Sequence, residues 1–264
     1  MAKKQTYRFK HADKIIQAGA ANPNSNISRK PAQPVDPLVQ QQYLEGQVIL
    51  IDKPVHWTSF DVVRKLRNAL QIKKIGHAGT LDPLATGLLI VCTGKFTKKI
   101  NEYMAKEKEY TGHITLGATT PTYDLESEPA NFKEYTSISP ERIHSAASTF
   151  TGEQQQFPPV YSAIKKDGVA LYELARRGEE VELKSRTITV HHFEITAIDL
   201  PVLSFKVTCS TGTYIRSLAH DLGQALGCGA YLSSLRRTKI GEFNVEDAPA
   251  MEKLLASFEK QTAL

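Results

Sequence analysis

Apolar residues in the first 44 positions follow no sustained period, and the segment is polar, rich in Asn, Gln, Ala and Pro. From Gly46 the pattern sharpens. Residues 46–51 read as a strand, and apolar residues at 60, 62, 63, 66 and 70 give 59–71 the spacing of an amphipathic helix. Residues 76–87 break every period. They hold one Asp, one His, three glycines and a proline, a composition that reads as a shaped loop. The apolar run 88–93 that follows suits a buried strand. A basic helix is expected near 95–105, a strand over 109–118 and a long loop over 117–129. Ser139-Pro140-Glu141 supplies an N-cap, a first-turn proline and an acid, so a helix should run to about residue 150. Residues 169–177 look helical up to Gly178, β segments fill 181–209, and 213–226 is a helix stopped by Gly227 and Gly229. Strands interspersed with helices, without regular βαβ spacing, predict an α+β domain around a mixed, largely antiparallel sheet. The expected division is a basic, flexible extension over 1–44, a body over 45–247 and a short helix within 248–264.

Composition narrows the class. A chain of 264 residues can bury a substantial core. Its three cysteines, Cys92, Cys209 and Cys228, show no CxxC spacing and cannot all pair, which argues against a zinc ribbon or a disulfide scaffold. No apolar stretch approaches membrane-spanning length and no signal-peptide core is present, so the expected location is cytoplasmic. The net charge is +5. Residues 1–44 carry seven Lys or Arg against Asp13 and Asp36, which accounts for all of it; the other 220 residues carry 26 basic and 26 acidic side chains. Only local patches could then attract an anion: Lys73-Lys74, Lys95 with Lys98-Lys99, Lys165-Lys166, Arg176-Arg177, and Arg236-Arg237 with Lys239. Each also fits an ordinary solvated face.

Asp82 stands in a tight turn just ahead of the core run, a poor place for a carboxylate unless it is paired or working. Asp-Pro in a Gly-rich turn is equally ordinary turn chemistry. On residues alone His77 fits a structural hydrogen bond, Tyr110 cross-strand packing, Arg216 a surface helix cation and Leu235 core. His191-His192 would face opposite sides of a strand and is given no metal role. No P-loop, GxGxxG, HExxH or CxxC spacing occurs.

The twelve residues from Gly76 to Gly87 closely resemble the catalytic motif of the TruB family of tRNA pseudouridine synthases. Five further stretches resemble that family in the right order. They are Ile51-Asp52-Lys53-Pro54 with Trp57-Thr58-Ser59, Lys108-Glu109-Tyr110 leading into 112–117, Gln156 to Lys165, Cys209 to Arg216, and Tyr231 to Arg237. The resemblance covers roughly 46–247 and not the first 44 residues. It implies the pseudouridine synthase fold, a long twisted sheet with flanking helices and a central RNA-binding cleft. It implies Asp82 as the essential catalytic residue, Tyr110 as a catalytic residue that stacks on a flipped base and helps move its C5 proton, and Arg216 as catalytic through its pairing with the catalytic Asp. His77 is implied to take the place of the flipped base and Leu235 to pack on that base. Lys53 is expected to contact RNA or backbone carbonyls, and Lys165 to bind substrate. The implied reaction, isomerisation of uridine 55 in the tRNA T-arm loop, requires no cofactor and no metal. The tail is too short for a PUA domain, so no guide RNA is expected, and the protein is expected to act as a monomer without a membrane. A non-catalytic tRNA-binding or folding module of the same fold is the alternative. A hydrolase using His77 and Asp82 is another; it would release a product, which isomerisation does not.

Overall fold

The computed structural model describes residues 4–7, 35–162, 164–166 and 168–260. The chain divides into two compact units, one of 1–18 with 111–234 and the other of 19–110 with 235–264. In chain order the elements begin with β1 (Lys4–Tyr7), α1 (Pro37–Glu45), β2 (Val48–Lys53), α2 (Ser59–Leu70), β3 (Ile75–Ala78) and β4 (Ala85–Thr93). A 3-10 turn leads into α3 (Ile100–Ala105), followed by β5 (Lys108–Leu116), α4 (Pro140–Ser148), β6 (Gly152–Gln156), β7 (Lys165–Lys166) and β8 (Val169–Ala170). Then come α5 (Leu171–Arg176), β9 (Val181–Lys184), β10 (Arg186–Asp199), β11 (Val202–Cys209), α6 (Ile215–Leu226), β12 (Ala230–Ile240), β13 (Phe243–Asn244) and α7 (Met251–Lys260). The α+β class and the predominance of antiparallel pairing are as expected. Among the described residues no helix is long and apolar enough to cross a membrane.

β4 organises the second unit. β2 pairs antiparallel along one of its edges; β3 pairs antiparallel with residues 90–93 on the other, where β12 also runs parallel to residues 85–87. Its Leu88–Cys92 run is fully buried because both faces are covered. Leu89 and Val91 pack with α2 and α7, while Leu88, Ile90 and Cys92 pack with Ile240, Val245 and the α3 side. In the first unit the strand order is β12, β5, β11, β10, β6, with small pairs β1–β9 and β7–β8 beside it. Strands β5 and β12 have residues in both units.

Three expectations change. The Gly76–Gly87 stretch is not all loop, because its first residues form β3 and its last residues open β4. Two of its three glycines, Gly76 and Gly87, also serve close approach. A Cβ on Gly76 would lie 3.0 Å from the Ile100 side chain, and one on Gly87 only 2.3 Å from the Arg237 carbonyl oxygen. Helix α5 starts at Leu171 rather than 169, since Val169 and Ala170 pair with Lys166 and Lys165 across a turn with Gly168 at φ 85°. Within the expected extension, residues 4–7 form β1 and α1 begins at Pro37, where Asp36 accepts from the Leu38 amide and caps it. Residues 8–34 of that extension lie outside the described residues.

Candidate active site

The second unit carries most of the residues singled out. Asp82 is half-buried in the six-residue connection between β3 and β4. Its carbonyl accepts from the Ala85 amide at 3.1 Å, closing a turn. The residue before it is tied to the start of α2: the Leu81 amide donates to Ser59 Oγ at 2.9 Å, and Ser59 Oγ reaches the Leu81 carbonyl at 3.2 Å. The residue after it is tied to the β2 end, because the Pro83 carbonyl accepts from the His56 amide at 2.8 Å and from Lys53 Nζ at 3.5 Å. The backbone on both sides of the carboxylate is thus fixed to other elements.

Lys53 is 0% exposed. Its ammonium also donates to the carbonyls of Trp57 (2.6 Å) and Pro54 (3.0 Å). Of the two contacts expected for it, RNA or backbone carbonyls, the carbonyls are those observed. Burial lowers its pKa to about 8, while the Asp82 charge pulls upward and the Arg237 charge pushes down. Arg237 was expected on a solvated face and is instead 1% exposed. Its Nε donates to the Leu88 carbonyl (2.7 Å) and its Nη2 to the Gly79 carbonyl (3.2 Å), so it ties the start of the Asp82 connection to β4. Arg236, pointing the other way, forms a two-pronged pair with Asp52 at 3.0 and 2.7 Å.

His77 lies on β3 opposite Val91, on a strand rather than in the expected loop. Burial and then Arg237 lower its pKa, which keeps the imidazole neutral, and its buried Nδ1 has no hydrogen-bond partner among the described residues. Leu235 stands beside Ala85 in the parallel β4–β12 pairing. Tyr110 lies nearly buried on β5, whose neighbouring Glu109 accepts from Thr238 Oγ1 at 2.8 Å.

Arg216 belongs to the first unit. It is the second residue of α6 and 5% exposed, not a surface cation. Its Nη1 donates to the carbonyls of Thr122 and Tyr161, both at 3.1 Å, and lies 3.6 Å from Asp124 Oδ2. Two of the sequence motifs meet here. Gln156 exchanges hydrogen bonds with the Tyr214 backbone (3.0 and 2.8 Å), and Ser217 Oγ donates to the Phe157 carbonyl at 2.8 Å. Lys165 is exposed on the β7–β8 hairpin. Asp124 and Arg237 were missed by sequence reasoning. Asp124 sits in a loop with no period, and Arg237 stands in a run of charges. Strand alternation at Arg236-Arg237 was the available signal.

A model of the TruB family pseudouridylate synthase N-terminal domain matches residues 67–215, and one of the tRNA pseudouridylate synthase B C-terminal domain matches 216–264. The chain is 56% identical over 218 residues to the tRNA pseudouridine synthase B of Flavobacterium johnsoniae, covering 80% of this chain and 95% of that protein. It is 48% identical over 218 residues to the protein of the same name from Parabacteroides distasonis, covering 80% and 93%. Among solved structures, a chain in the crystal structure of a Cbf5-Nop10-Gar1 complex superposes with a TM-score of 0.65 at 30% identity. The match covers 86% of this chain and spans 59% of that one. Family-model matches over more than half of the sequence, together with relatives 48% and 56% identical over 80% of the chain, place it in the TruB family of pseudouridylate synthases.

Proposed function

We propose that the chain is a tRNA pseudouridine synthase that isomerises uridine 55 of the T-arm loop, acting in the cytoplasm where that substrate is found. The observation that carries the reading is the connection around Asp82, held on one side by Ser59 and on the other by Lys53 and His56. The reaction breaks the N1–C1′ bond, turns the base and joins C5 to C1′; C5 loses a proton to solvent, N1 gains one, and no free base or other fragment is released. A carboxylate serves this at C1′ or C6, as a nucleophile or as the base and countercharge of a glycal or oxocarbenium-like species. Either role needs a fixed, ionised group, since misplacement by an ångström is costly.

A stacked uridine is out of reach, so the nucleotide must leave the stack. His77, kept neutral by burial and by Arg237, fits the vacated position. Tyr110 and Leu235 provide packing for the extruded base, and stacking of that kind contributes roughly 1–3 kcal/mol per base. Arg216 contributes a guanidinium that cannot be deprotonated and whose planar fork suits a carboxylate. Lys53 and Arg237 position the connection and take no part in bond-making. Recognition is of a folded stem-loop and splayed nucleotides, as is usual for RNA.

The test uses an unmodified tRNA transcript tritiated at C5 of uridine, with no cofactor added. Wild type should release tritium to water and leave pseudouridine in the T loop. Asp82→Asn should lose at least about a thousandfold in turnover while holding tRNA within about tenfold of wild-type affinity. Tight binding by wild type without release would sink the enzyme reading in favour of a binding module, and release of free base would point to a hydrolase.

A further inference from the structure

β1 adds itself to β9 in antiparallel register, with Lys4 opposite Lys184, Gln5 opposite Leu183, Thr6 opposite Glu182 and Tyr7 opposite Val181. Like charges directly opposite each other on a ladder repel. Lys4 escapes by turning to Glu182, with Nζ 2.9 Å from the carboxylate; that hydrogen bond and charge raise its pKa. Lys184 has no such outlet: its side chain is exposed and its ammonium makes no hydrogen bond or ion pair with any described residue. The same holds for Lys165.

These side chains line one cavity of about 590 Å³, wholly within the first unit. Four cations, Lys4, Lys165, Lys184 and Arg186, surround it with Glu182 as the single carboxylate. Arg186 is held in place, its Nη1 donating to the Gly212 carbonyl at 3.3 Å and its guanidinium 4.9 Å from the Tyr214 ring centre. Pro158, Ile164, Leu171 and Leu183 form the apolar part of the wall, and the two leucines pack in one cluster with Tyr161, whose carbonyl accepts from Arg216. An anion is the complement of this charge pattern, and a backbone phosphate of the RNA substrate supplies one.

We propose that this cavity is a phosphate subsite for the RNA substrate, completed by the N-terminal strand. Lys184, Lys165 and Arg186 take a backbone phosphate, and Lys4 occupies Glu182 so that the carboxylate does not repel it. The β1 residues, which fall outside the family motifs, thereby gain a defined task. The inference rests on the tRNA reading above and names how that substrate is held away from the reacting base.

The test measures Kd for unmodified tRNA transcript over a range of salt, with KM from turnover, on the full chain. Lys184→Ala should weaken binding about fivefold near ~0.1 M salt and lower the slope of log Kd on log salt by about 0.7–0.9, as for one lost phosphate contact. Lys184→Arg should keep both values. Lys4→Ala should also weaken binding, because it frees Glu182. Lys253→Ala, an equally exposed cation on α7, should change nothing. Unchanged Kd and slope in Lys184→Ala, or an equal loss in Lys253→Ala, would overturn the subsite while leaving the enzyme reading standing. A wild type that does not bind tRNA at all would overturn both.

Discussion

Lys53, Gly87 and Arg237 stand in one row across three strands, Lys53 opposite Gly87 on one edge and Arg237 opposite it on the other. Two buried cations flank a glycine there because no side chain fits between the strands. Lys53 carries the electrostatic cost, its pKa lowered from 10.5 to about 8 chiefly by burial. Between those values the unfolded chain keeps a proton that the folded chain has released, so this residue makes stability rise as pH rises through that window. Below it both states are protonated, and the cost of the buried charge is present in full. Lys53→Met removes the charge and leaves its carbonyl partners without a donor, a loss of about 1–3 kcal/mol. The stability gap between wild type and Lys53→Met should widen in favour of wild type from about pH 8 to 10. Urea unfolding of both proteins across that range measures it; a gap flat with pH would mean the lysine keeps its ordinary pKa. Asp82 and Lys53 were legible because their neighbours form motifs. Arg237 was not, since a sequence shows that strand neighbours alternate but not which of two arginines turns inward.

Helix α2 was legible to within a residue because its apolar face recurs at helical spacing and Thr58-x-x-Asp61 closes a capping box on its first turn. Strand β3 was not, because four residues with a glycine and a histidine carry no period; only pairing with β4 makes them a strand. The link between α2 and the Asp82 connection was likewise hidden, since Ser59 and Leu81 are 22 positions apart and meet through a single hydroxyl. That hydroxyl gives the helix start a positioning task. Ser59→Ala removes the acceptor of the Leu81 amide while keeping the helical backbone. Single-turnover rates should fall by about ten- to a hundredfold, with tRNA Kd little changed, because the loss is one of alignment. Rate and affinity falling together would instead mean that the helix itself had come loose.

The second unit closes only with its last element. Met251, Leu254, Leu255 and Phe258 recur at i, i+3, i+4 and i+7, so the sequence does show an amphipathic helix near its end. What it covers was not readable, because the partners come from α1, α2 and β2, some two hundred positions away. Met251 and Phe258 are buried against Ile51, Val62, Leu66 and Leu70, and the Phe258 ring meets Tyr43 of α1 edge-on at 5.6 Å. The segment before α7 is also tied to the sheet, the Asp52 amide donating to the Pro249 carbonyl at 3.1 Å. Asp52 in turn takes both prongs of Arg236, so α7, β2 and β12 share a path to the residue next to Lys53. A helix that merely trailed behind the body would tolerate truncation of its apolar face at little cost. One that roofs the core leaves a cavity, and Phe258→Ala should then cost about 3–5 kcal/mol. Urea unfolding should show a lower midpoint at an unchanged slope, the mark of lost packing rather than a changed denatured state. A cost under about 1 kcal/mol would mean that α7 leaves this core readily and that α2 packs without it.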